Sequence, residues 1–491
     1  MLKGLNIYKA TYIYLSLPLF IFLLTWLDYA FSLLTCVLFL SGLYQLWKTS
    51  DKNLPIITGK ALFLAGISAL LWCFFAGIGY FYYQSFDYHF RNAVFRDLID
   101  YEWPVMYDKA HTPMVYYMGF WLFPALMTKL FSFLSLSKDT LFLIGNIWLF
   151  LYAVIGVFLI FMHMVIAFHL KNNHQLLASI LIFILFSGLD IIGYLFFQGG
   201  FQPFAYHLDW WAAFIQYSSL TTSIFWVFNQ FIPATLAIML IYNEHNIKTF
   251  GYLLPFVLFL APYPAIGVGI FMIAYTLQQF MHSDKKNFIF NKIFSIPNII
   301  GIFGFLPVIM LYFTTNSSGI DRFSFFTDFI DVWYLLLFML LEFLLFAGIL
   351  FKSYKNNIFF VTAIISLFIF PLFRLDQQNN FCMRASMPAL IMLSLFVIRF
   401  LFESFRENKN KFLREVLLIL LLLGSATPMM EFYRGFYYTI EARKVNLVKD
   451  DIHTLNQPYI RMPEFGYDVN HQFTAQNYQN DIFWQYLAKK H

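Results

Sequence analysis

The chain has 491 residues, 60% of them hydrophobic, 22% aromatic and only 12% charged, with a mean hydropathy of +0.65. That apolar share lies far above a soluble domain's roughly 45–50% and makes the bilayer the solvent for most of the chain. The net charge of +5 sits mostly in short loops, which reads as membrane topology and not as nucleic-acid binding; Cys36, Cys73 and Cys382 show neither disulfide nor metal-ligand spacing.

Lys3 and Lys9 precede an apolar span from Tyr12 to Trp26 with no small-residue cleavage pattern after it, so a retained anchor is expected. A second span ends at Trp47, before Lys48, Lys52 and Lys60. With those lysines cytoplasmic, a third span over 61–83 points outward and delivers Asp87 to the external face. The apolar stretch Met114 to Leu134 is broken by Pro124 and carries Lys129. Lying flat as an interfacial helix, it keeps every later lysine-rich loop inside. Spans follow over 140–168 and 175–197, the latter holding Asp190, a carboxylate costly at membrane depth and so functional by default. Next come 223–242, a segment 251–280 split by Pro262 and Pro264 into two half-spans, then 296–314, 330–350, 358–373, 387–402 and 415–430.

Counting half-spans separately gives about thirteen crossings with basic inner loops throughout. The expected fold is an all-α polytopic transmembrane helix bundle with a cytoplasmic N-terminus. Residues 1–60 form a two-span extension, 61–430 the core, with interfacial helices in its first outer loop, 84–138, and 431–491 an external tail capping the outer loops.

Ionisable residues gather in three islands, all expected outside. The first contains Asp87, His89, Arg91, Arg96 and Asp97. A carboxylate at the membrane edge can take a proton from an acceptor hydroxyl, which makes Asp87 the candidate base; the competing reading is an N-cap for a helix over 88–100. His89 could orient Asp87 or help bind a divalent metal. Arg91 and Arg96, five apart, do not share a face, and pairing of one with Asp97 or Asp100 competes with substrate or lipid headgroup contact. Asp87-Tyr88-His89 supplies one carboxylate, so no metal cofactor is expected.

The second island runs from Gln198 to Thr222, with Gly199-Gly200, His207, Asp209, Trp210, Trp211 and Gln216, and with Asn229 where the next span opens. Aromatic faces beside amides and carboxylates suit sugar recognition, although an interfacial aromatic belt explains Trp210 and Trp211 as well. The third runs from Arg374 to Arg384. Guanidinium is always charged and bonds phosphate bidentately, so Arg384 is the first candidate for a phosphate and Arg374 the second; a pair between Arg384 and Asp376 competes.

In the first island an acidic residue, Asp87, follows directly on a span. An amphipathic helix over 88–100, a Trp103-Pro104 turn, and Thr112-Pro113 leading into Val115-Tyr116-Tyr117-Met118-Gly119-Phe120-Trp121 come next. This order resembles the first extracytoplasmic loop of the glycosyltransferase-C superfamily, in particular its protein mannosyltransferases and aminoarabinose transferases. Those enzymes place a second acidic residue or a Lys-Pro-Pro run where this chain has Tyr88 and His111-Thr112-Pro113, so no particular sugar carries over. The resemblance implies inverting transfer of a sugar from a polyprenyl-phosphate carrier, within membrane lipid, to a cell-envelope glycan, lipid or protein. A flippase of lipid-linked sugars would need polar residues spread through several spans. A polymerase or ligase of lipid-linked oligosaccharides would need a large outer loop late in the chain.

Overall fold

The computed structural model describes residues 6–490 except 50–57, 171, 199–206, 213, 317–322, 329, 376–378, 446–451 and 458–469. Gly199-Gly200 and Asp376, the expected partner of Arg384, fall outside the described residues.

Apolar sequence in lipid must satisfy its own backbone, and this chain does so with helices. They are α1 (Ile7–Thr25), α2 (Tyr29–Thr49), α3 (Gly59–Phe75), α4 (Tyr88–Asp100), α5 (Gly119–Lys129), α6 (Lys138–Phe168), α7 (Asn173–Ile184), α8 (Asp190–Gln198) and α9 (Leu220–Glu244). Then follow α10 (Phe250–Leu260), α11 (Pro262–Met281), α12 (Ile296–Thr314), α13 (Val332–Tyr354), α14 (Ile358–Ile369), α15 (Asn380–Ala385), α16 (Met387–Glu407), α17 (Lys411–Gly424) and α18 (Ala426–Val445). Two antiparallel ladders of two residues per strand join loops: β1 (Met106–Tyr107) with β2 (Thr112–Pro113), and β3 (Ser324–Phe325) with β4 (Phe373–Arg374).

Among the described residues, 9 helical segments are long and apolar enough to cross a membrane, which marks a multi-pass membrane protein. The α3, α7, α10 and α14 segments are apolar but shorter, at 10–17 residues, and the expected count is reached only if all of them cross too.

Three boundaries differ from expectation. Helix α3 stops at Phe75 because the chain reverses at Gly77, with φ +74; a Cβ there would stand 2.3 Å from the Tyr83 carbonyl oxygen. The span expected over 175–197 is two helices, so Asp190 opens α8 instead of sitting within one continuous helix. The last helix continues to Val445, so Glu431 belongs to a helix and not to a tail. The break foreseen at Pro262 is present, since Ala261 leaves helical geometry at φ -149, ψ 78. Even so, α11 has 20 residues and is more than a half-span.

The centre is formed by α1, α6 and α9. Tyr14 and Tyr152 stack at 4.3 Å, and each hydroxyl donates to the other's carbonyl at 3.0 and 2.9 Å. Lipid tails are as apolar as leucine, so close packing and such bonds, at about 0.6–2 kcal/mol each, hold helices together here.

Helix α4 matches the expected amphipathic segment but is enclosed, with buried positions on nearly every side. Helix α5 has 11 residues, which at 1.5 Å each span only about 16 Å, too short to cross the hydrocarbon core alone. Its Lys129 donates to the Ile99 and Tyr101 carbonyls at 2.9 and 2.7 Å, which closes the C-terminus of α4 and explains a lysine in an apolar stretch. The C-terminal segment covers this loop. Leu455 N donates to Asp97 Oδ2 at 2.8 Å, Val115 N to the Phe473 carbonyl at 2.9 Å, and Ala475 N to the Pro113 carbonyl at 3.2 Å.

Candidate functional site

Asp87 occupies the residue before α4 with helical φ/ψ, and its side chain makes no cap bond. The N-cap reading is therefore wrong. Its carboxylate instead receives Arg91 Nη2 at 2.8 Å, one helical turn on, with the Arg91 side chain 3% exposed and that of Asp87 36%. Burial alone would lower the Arg91 pKa, but Asp87, then Tyr116 and Tyr117, hold it above its ordinary value.

A kink fixes the other end of Arg91. Val227 departs from helical geometry inside α9, at φ -139, ψ 44, which disrupts the helical ladder there; the Trp226 carbonyl accepts from Arg91 Nη1. The expected pairing of Arg91 or Arg96 with Asp97 or Asp100 does not occur. Arg96 lies over the Phe142 ring at 3.9 Å, Asp97 accepts from the Tyr107 hydroxyl and Leu455 N, and Asp100 accepts from Lys138 at 2.7 Å. His89 packs on Phe86 at 5.6 Å.

The third island reaches the first through Tyr117. Arg384 on α15 is 9% exposed and donates from Nη1 to the Tyr117 hydroxyl at 3.1 Å, with Asp87 and Tyr116 also within electrostatic reach of its guanidinium. Tyr312 of α12 positions this corner: its hydroxyl lies 3.3 Å from the Met114 carbonyl and accepts from Tyr116 N at 3.3 Å. One half-exposed carboxylate thus faces two buried guanidiniums carried by elements nearly three hundred residues apart.

The second island divides. His207 Nδ1 meets Glu431 Oε1 of α18 at 2.5 Å, and its ring packs on Trp210 and Trp226, each at 4.6 Å; the Trp226 indole donates to Glu431 Oε2 at 3.4 Å. Asp209 turns away to accept from Gln216 at 3.1 Å. Burial, then the charges of Asp190 and Glu431, hold the Asp209 carboxyl well above the ordinary range. Gln216 touches the third island, its carbonyl accepting from Cys382 Sγ at 3.8 Å. Arg374 lies 4.2 Å over the Phe214 ring. Trp226 is therefore the hinge between islands, with its carbonyl on Arg91 and its indole on Glu431.

Asn229 and Gln230, just past the kink, are fully buried with no hydrogen-bond partner for either amide among the described residues. A buried acidic group also forms beside α8. Asp190 Oδ2 accepts from Ser187 at 2.7 Å and Thr427 at 2.8 Å, Glu342 of α13 lies within hydrogen-bond reach of Asp190, and Trp211 donates to Glu342 at 2.9 Å.

Sequence reasoning missed Tyr117 as the partner of Arg384, Glu342, Ser85, Glu431 and Arg434. Glu342 was findable as a lone acid in an apolar span, and Glu431 with Arg434 as an i, i+3 pair once the last helix is extended. A narrow cleft between α9, α18 and the loop after α3 includes His207, Trp226, Glu431 and Arg434, but neither Asp87 nor Arg384. Among the described residues no group of three or more His, Cys, Asp or Glu side chains is placed to hold a metal ion. Compared with known families, characterised proteins and solved structures, the chain matches none.

Proposed function

We propose that the protein is a membrane glycosyltransferase that moves a sugar from a polyprenyl-phosphate carrier to an extracytoplasmic glycan, lipid or protein. The observation that carries this reading is the half-exposed Asp87 carboxylate set against buried Arg91 and Arg384. Asp87 accepts the proton of the acceptor hydroxyl as its oxygen bonds to the anomeric carbon. The bond from that carbon to the carrier phosphate breaks, and the released phosphate is held by Arg384. Inversion follows from this single displacement.

Transfer of a radiolabelled sugar from a lipid-phosphate donor, in membranes expressing the chain, tests it. Asp87→Asn keeps an acceptor for Arg91 and is expected to lower turnover by about 10²–10⁴-fold. Normal transfer by that variant removes Asp87 as base.

One observation favours a lipid-sugar flippase instead: Asp190, Glu342, Asn229 and Gln230 put polar groups inside several helices. Movement of a fluorescent lipid-linked sugar across vesicles, without covalent transfer, would decide for that reading.

A further inference from the structure

We infer that Asp190 and Glu342 form a buried proton site, in which one proton is shared between Asp190 Oδ1 and Glu342 Oε2 and fastens the break between α7 and α8 to α13. This inference does not rest on the sugar-transfer reading and involves neither Asp87 nor Arg384.

Asp190 and Glu342 are each 1% exposed. One oxygen of each carboxyl has its donors: Asp190 Oδ2 accepts from the Ser187 and Thr427 hydroxyls at 2.7 and 2.8 Å, and Glu342 Oε1 accepts from the Trp211 indole at 2.9 Å. The other oxygens, Asp190 Oδ1 and Glu342 Oε2, are buried with no donor among the described residues. Yet the two carboxyls lie within hydrogen-bond reach of each other. Ionised carboxylates only accept, so this contact becomes a hydrogen bond when one of the two carries a hydrogen. A single proton then satisfies both orphaned oxygens, and it requires no space that a water or an ion would need.

The surroundings offer no other neutralising charge. Among the described residues neither carboxyl makes an ion pair. The further charge acting on Glu342 is again acidic, that of Asp209 in the loop before α9, and Tyr217 of the same loop is also within electrostatic reach of Glu342. Helix α18 presents the neutral Thr427 hydroxyl, and its Glu431, one turn on, is engaged by His207. Two carboxyls that share a buried site without a cation cannot both ionise cheaply, and the proton is what removes the repulsion.

The site lies at a joint. Glu342 stands in a single π-helical turn within α13, Leu340–Leu344, an irregularity that recurs where a helix serves a function. Leu189 N donates to the Leu341 carbonyl at 3.1 Å, and Gly188, having no Cβ, lets the main chain of the α7–α8 break lie against the Glu342 carboxyl. Losing the proton would put two like charges and two unbonded oxygens where the break, α13 and α18 meet.

The test is infrared difference spectroscopy of the full chain in nanodiscs at neutral pH, since a carboxylic acid and a carboxylate absorb at different frequencies. Subtracting the double variant Asp190→Asn/Glu342→Gln, whose amides keep donors and acceptors in place, is expected to reveal the loss of one acid band and one carboxylate band. Loss of two carboxylate bands, or of two acid bands, overturns the proposal. If the double variant does not elute as a monodisperse protein, Glu342→Gln alone decides: its amide donates to Asp190 in place of the shared proton, so an acid band should disappear with no change in carboxylate, and loss of a carboxylate band instead is the refuting result. Melting of Glu342→Gln gives an independent check. It should be no higher than that of the wild type, because a rise is what relief of repulsion between two ionised carboxylates would produce.

Discussion

Asp87 and Arg91 form one ion pair with two unequal ends, and the inequality predicts an ordering of stabilities. The Arg91 side chain is 3% exposed and that of Asp87 36%. Asp87→Ala strands a buried guanidinium without its counter-charge, a loss of about 3–5 kcal/mol. Arg91→Met leaves a carboxylate that water can resolvate, so its cost reduces to the unmet Trp226 carbonyl at the α9 kink, about 1–3 kcal/mol. The double variant Asp87→Ala/Arg91→Met removes the stranded cation as well and should recover about 2 kcal/mol relative to Asp87→Ala alone. Thermal unfolding of the purified chain in detergent, followed by tryptophan fluorescence, reads the ordering directly. The reasoning is refuted if Asp87→Ala is no less stable than Arg91→Met, or if the double variant loses the sum of the two. Asp87→Asn retains an acceptor oxygen for Arg91, so it is the variant suited to activity assays.

Other consequences follow from single contacts. A Cβ on Gly188 would stand 2.0 Å from Glu342 Oε2 and 2.8 Å from the Glu342 Cα, so Gly188→Ala must push α13 away at about 1–3 kcal/mol; an unchanged melting temperature would contradict this. Burial, only partly offset by bonds from Thr454, Leu455 N and Tyr107, raises the Asp97 carboxyl from 3.8 to about 6. The folded state then binds the proton more tightly than the unfolded state. The stability from this group is complete below the ordinary 3.8 and is lost as pH rises through about 6. The melting temperature should accordingly fall as pH rises across that window, and Asp97→Asn should remove that fall. Tyr117→Phe takes the acceptor from a nearly buried Arg384 and should cost about 1–3 kcal/mol, measurable as a lowered melting temperature.

Composition and periodicity determined that the chain is helical, that it spans the membrane many times, and where most of its helices lie. This holds because lipid leaves the backbone no partner but itself, which ties long apolar runs to helices without reference to neighbours. The helix after Asp87 and the break at Pro262 were legible for the same local reason: an amphipathic pattern and a missing N–H. Tertiary structure alone decided the partners. Arg91 went to Asp87 and to a carbonyl beside a kink in α9, not to Asp97 or Asp100, because the departure at Val227 has no sequence signature and the acceptor lies 135 residues away. Arg384 found Tyr117, and His207 found Glu431, for the same reason. A buried charge takes whichever partner the packing brings within about 3 Å, and packing is a property of the whole bundle.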